Sequence, residues 1–128
     1  MVGIKVDLYD YSIFPGLNAE KALAMGMAEV ENLNADGHNA SWCLLDLGRT
    51  AEAELKECIK ERKPDIIMIG AGMRVWTGVL TLLEKVVNVV HREAEGIKIC
   101  FPSSLRTSAE AVVRCLLDIK LVDVSISA

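Results

Sequence analysis

Residues 66–69, Ile-Ile-Met-Ile, are apolar at every position and stop at Gly70-Ala71-Gly72, with Pro64-Asp65 just ahead of them. A strand with one wet face alternates apolar and polar residues. A continuous apolar run between turn signals instead reads as a parallel strand covered on both sides. Residues 40–47 carry the same signature, with Cys43, Leu45 and Leu47 on one side and Trp42 and Leu44 on the other. These two runs predict central strands. The run over 3–11 differs, because Ile4, Val6 and Leu8 oppose Lys5, Asp7 and Tyr9. Residues 121–126 behave likewise, and both runs predict edge or half-covered strands. Residues 97–101 supply a fifth, with Ile97, Ile99 and Phe101 opposite Lys98 and Cys100.

Helical periodicity fills the intervals. Leu23, Met27, Val30 and Leu33 recur at helical spacing and predict a helix over 19–35, opened by Asn18 and closed by Asp36-Gly37. A second helix is predicted over 51–63, with Ala51, Leu55, Cys58 and Ile59 inward. A third is predicted over 78–94. A fourth is predicted over 108–118, where Thr107 and Glu110 have capping-box spacing. Strands alternating with helices imply βαβ units. The expected fold is α/β: one domain over 1–128, a three-layer, mostly parallel sheet of about 4–5 strands with helices on both faces, Rossmann-like or flavodoxin-like. No helix is expected after the last strand, so a homodimer is expected to cover the open sheet face.

Composition narrows the function. Lys plus Arg number 14 against 18 Asp plus Glu, a formal net charge of -4. That balance argues against a general nucleic-acid or anionic-membrane binder. No apolar run approaches the ~20 residues that span a bilayer, and residues 1–10 do not read as a signal peptide. Cys43, Cys58, Cys100 and Cys115 lie in apolar runs or on apolar helix faces, with no CxxC spacing. They are expected to be four reduced core thiols of a cytoplasmic protein.

Ligands of open parallel sheets bind beyond the carboxyl ends of the strands. Three loops should meet there, over 46–50, 70–78 and 102–107, and each carries an arginine. Arginine offers a planar fork to carboxylate or phosphate, and helix N-termini offer free N–H groups. The candidate site is thus Arg74 as anchor, Gly70 and Gly72 shaping the loop, Trp76 as a ring to stack on or a lid, and Arg49, Ser103, Ser104 and Arg106 assisting. The expected ligand is a small anion. An interaction module is the alternative, and an enzyme using Glu84 and His91, which share a face of the third helix with Asn88, is a third reading. The glycines do not form a dinucleotide fingerprint, because Val75 stands at the third glycine position. No Walker loop, flavodoxin-type phosphate cradle, receiver aspartate or cobalamin loop is present, so no cofactor and no metal is expected.

The stretch from about Val6 to Arg114 resembles a group of small uncharacterised microbial α/β proteins. The resemblance rests on Val6-Asp7, Pro15-Gly16, Ala19-Glu20-Lys21, Cys43-Leu44, Asp46-Leu47-Gly48 and Thr50-Ala51-Glu52. It continues through Gly70-Ala71-Gly72-Met73-Arg74, residues 84–91 and Ile99-Cys100-Phe101. Leu83, Glu95 and Pro102 stand where that group tends to carry Phe, Pro and Asn. The resemblance implies a Rossmann-like or flavodoxin-like fold and carries no activity; it also implies a strand ahead of Val6 in relatives, for which this chain is expected to start too late, with residues 121–126 or a partner chain in its place. Residues 3–11 are then expected to be partly loop.

Overall fold

The first long helix, α1 (Ala19–Ala35), begins where Asn18 turns its side-chain oxygen back to the N–H of Lys21 at 2.8 Å. That bond satisfies one of the donors left free at a helix start. The helix ends at Asp36, and Gly37 adopts φ 94°, the left-handed turn open to glycine. The computed structural model describes residues 1–117, so the strand expected over 121–126 lies outside the described residues.

Along the chain come β1 (Val2–Ile4), α1, β2 (Cys43–Leu45), α2 (Ala51–Arg62), β3 (Ile66–Met68), α3 (Ala71–Val75), α4 (Leu80–Glu93), β4 (Lys98–Cys100) and α5 (Ser108–Leu117). Single 3-10 turns occupy Val6–Leu8, Tyr11–Ile13 and Thr77–Val79. Pairing is parallel: β1 with β2, in register Val2 with Cys43, and β3 with β4, in register Ile66 with Lys98.

This corrects the expected architecture. Among the described residues the protein has five helices and two short two-stranded parallel sheets, not a three-layer sheet of four or five strands. The reason is strand length and offset. Each strand is three residues long. The two sheets touch at one bridge, Val2 with Ile69, where the Gly70 N–H donates to the Val2 carbonyl at 2.8 Å. Val2 opens β1 and Ile69 lies past the end of β3, so the two strands overlap too little to share a ladder.

Residues 3–11 are also corrected. The strand is Val2–Ile4, ahead of Val6 and buried at all three positions, not a half-covered edge. Beyond it the alternation is that of turns. Asp10 accepts from the N–H of Ser12 at 3.1 Å, and the Tyr11 hydroxyl donates to the Val6 carbonyl. Such local bonds compete with a sheet ladder.

The β3 run shows why continuous apolarity was needed. Ile67 and Ile69 join one hydrophobic cluster, with Val2, Ile4, Leu45, Leu55, Val86 and Val90. Met68 joins another, with Cys100 and Ala111. Alternate side chains of one run thus enter separate cores on opposite sides. Helices α2 and α4 pack on each other, and α5 packs on β3, β4 and α1. The Arg92–Glu52 pair, 2.9 Å, bridges α4 to α2 at the surface, where such pairs contribute little. Leu45 has no exposed surface and joins β2 to the larger core. Leu45→Ala is expected to lower the unfolding free energy by about 2–5 kcal/mol, read as a lower urea midpoint at unchanged slope.

Candidate functional site

Trp42 lies just before β2, and its ring stands between α1 and the strands. Its indole N–H donates to the Gly26 carbonyl of α1 at 2.8 Å. A Cβ at Gly3 would come within 3.0 Å of the ring, and one at Gly26 within 3.4 Å. The indole therefore occupies space that two glycines leave free. Beside it lies a cleft with α1 as one wall (Ala22, Met25, Gly26) and the strands as the other (Gly3, Leu44, Met68). Tyr9, Phe14, Pro102 and Leu105 form its rim. Its volume is about 90 Å³, several times the ~10–15 Å³ that admits one water.

Seating Trp42 against Gly26 sets the rotation of α1 about its axis. The stripe expected to face inward is only partly buried: Leu23 and Met27 are 45% and 55% exposed, while Leu33 is buried. The inward face instead carries Met25, Gly26 and Glu29. Glu29 is 8% exposed, lines the cleft, and has no hydrogen-bond or ion-pair partner among the described residues. Ser108, at the start of α5, is buried on the same cleft. Sequence reasoning missed Glu29 because it followed hydrophobic period alone. The signal was its spacing, four residues after Met25 and four before Leu33.

The expected site residues are partly brought together. Gly70, Gly72 and Ser104 line the cleft. Arg74 is exposed at the end of α3, and its guanidinium donates to the Pro102 carbonyl at 2.6 Å, tying the segment after β3 to the one after β4. Ser103 and Ser104 bond to the Thr107 hydroxyl, which accepts from the Ser104 N–H at 2.9 Å. Thr107 thus turns toward its own loop. Arg49 and Arg106 are exposed and outside the cleft lining.

Residues 70–78 are not the glycine-rich loop expected. They form α3 and a 3-10 turn, and Gly72 is helical. A Cβ at Gly72 would fall 2.5 Å from the Tyr9 hydroxyl. That glycine admits Tyr9, and the Tyr9 ring in turn stacks at a tilt on Trp76, with centroids 5.8 Å apart. Trp76 is packed as a lid on the core beneath it. Burial pushes the Tyr9 phenol above its ordinary range, so it stays a neutral hydroxyl at the rim.

Glu84, Asn88 and His91 are exposed on α4, away from the cleft, and Asn88 donates to the Glu84 carbonyl at 2.9 Å. Among the described residues no group of three His, Cys, Asp or Glu is placed to hold a metal ion, and no helix is long and apolar enough to cross a membrane. The four cysteines are free. Each strand cysteine neighbours a helix cysteine: Cys43 of β2 meets Cys58 of α2, and Cys100 of β4 meets Cys115 of α5. Burial, reinforced by that neighbour, pushes the Cys43 thiol up, and burial with the nearby Cys115 pushes Cys100 up to about 11. Thiols so shifted are poor nucleophiles.

Compared with models of protein families, with curated proteins and with solved structures, the chain matches none.

Two expectations follow from this geometry. Gly72→Ala should destabilise by about 1–3 kcal/mol through its clash with Tyr9. In a Tyr9→Ala background the same change should be neutral, or favourable by up to about 1 kcal/mol as alanine replaces a helical glycine; chemical denaturation of the four proteins closes that cycle. Pulsed alkylation with N-ethylmaleimide at pH 8, read by mass spectrometry, should leave Cys43 and Cys100 unlabelled in folded protein and label both in urea.

Proposed function

We propose that this protein is a binding module for a small molecule with an apolar body, seated in the cleft between α1 and the C-terminal ends of the strands. One observation carries the reading: an open cleft beside Trp42 is walled almost wholly by apolar side chains and glycine backbone. Small-molecule sites are concave and mostly apolar, with a few polar groups that fix orientation. Here those groups are Glu29, Ser104, Ser108 and the Tyr9 hydroxyl.

Gly70, Gly72 and Ser104 belong both to this cleft and to the site expected from the sequence. The ligand differs. Arg74 is engaged by the Pro102 carbonyl, no Lys, Arg or His of the described residues lines the cleft, and Glu29, which does line it, opposes an anion. We therefore favour an apolar body over phosphate or carboxylate. The reading assigns no catalytic step.

The test uses intrinsic fluorescence, because Trp42 is part of the wall. In a Trp76→Phe background, 1-hexanol should change Trp42 emission saturably. Ala22→Phe, which fills the cleft from α1, should remove that response while the far-UV circular dichroism is kept. A linear, unsaturable change in both proteins overturns the reading.

A further inference from the structure

Of the polar residues that line the cleft, Glu29 alone among the described residues carries a charge. It reaches the cleft from α1, buried to 8% exposure, and no described residue donates a hydrogen bond or a positive charge to its carboxyl. Among the described residues no buried side-chain nitrogen or oxygen is left without a partner, so this carboxyl is not sealed in the core and stays open to a donor. No Lys, Arg or His of the described residues lines the cleft. Ser108 shares the cleft and adds a hydroxyl that can accept as well as donate.

We propose that Glu29 recognises the protonated amino group of the ligand, so the molecule held in the cleft is a small apolar amine. The ammonium donates to the Glu29 carboxylate, and its hydrocarbon body lies along Met25, Leu44, Met68 and the face of Trp42. This rests on the binding reading above and specifies its ligand. Charge complementarity selects the amine over alcohols and acids of the same shape. An acid would face Glu29 with a like charge, and an alcohol can donate to the carboxylate but brings no opposite charge to it.

The experiment compares three probes of one shape, 1-hexylamine, 1-hexanol and hexanoate, titrated into the full chain at pH 7. Binding is followed by Trp42 emission in the Trp76→Phe background. Hexylamine should bind at least about tenfold more tightly than hexanol, as expected for a hydrogen bond to a charged group, and hexanoate should bind most weakly. Glu29→Gln should bring the amine and the alcohol to within about threefold of each other, with hexanol affinity unchanged. If Glu29→Gln does not fold, Glu29→Asp replaces it, and the amine preference should shrink without vanishing. If none of the three probes binds the unmutated cleft, the binding reading itself fails. If all three bind alike, or the amine preference survives in Glu29→Gln, the amine assignment is overturned while the binding reading stands. A lower melting temperature in Glu29→Gln with the preference intact would make Glu29 a structural residue of the α1–α5 contact, and this also overturns the assignment.

Discussion

The hydrogen bond from the Trp42 indole to the Gly26 carbonyl, and the fit of that ring between Gly26 and Gly3, organise the rest of the molecule. An aromatic ring is a rigid block, and α1 approaches the strands only as closely as that block allows. The block turns the small-residue face of α1 inward and Leu23 and Met27 partly outward. The same seating brings Glu29 into the cleft. The gap beside the ring, its acidic group and its apolar walls therefore share one physical cause. Gly70 adds to it, since its N–H bonds the Val2 carbonyl and a Cβ there would crowd that carbonyl at 3.2 Å.

A second constraint closes the rim. Tyr9 lies over helical Gly72 and packs with Tyr11, Phe14 and Trp76. Aromatic rings held edge to face or tilted are favourable contacts beyond the area they bury. They gather the turns after β1 and the segment after β3 into one lip. Arg74 does the corresponding work between the segments after β3 and β4. An arginine expected to bind a ligand anion thus contributes as a strut.

How much of this was legible in the sequence depended on whether a local signal stood alone. Asn18 and Asp36-Gly37 mark the ends of α1 plainly, because each acts within a turn of itself. Continuous apolarity at 66–69 reveals burial on both sides, since no register of that run has a wet face. The extent of pairing was not legible. Four three-residue strands and a full sheet share one hydrophobic pattern, and only the offset of Val2 against Ile69 separates them. The α3 helix was masked by its two glycines, which read as loop punctuation, although Gly72 is there to make room for Tyr9. Glu29 was hidden by the usual rule that charge points outward. The bond of a distant tryptophan to Gly26 overrides that rule. The two thiol pairs were invisible too, because fifteen residues of chain separate partners that a strand and its following helix bring together.

The pairing of the strands also orders the assembly of the molecule in time. Each strand finds its mate only across intervening helix, β1 with β2 across α1 and β3 with β4 across α3 and α4. Contacts between segments so far apart in the chain require large loops to close first, whereas a helix forms from neighbours. The helices can condense early, on the strength of caps such as that of Asn18. The short ladders and the Val2–Ile69 bridge lock last. The cleft, whose walls are a helix on one side and those ladders on the other, is then a product of the final stage of folding, and its completion reports that the chain has reached its native state.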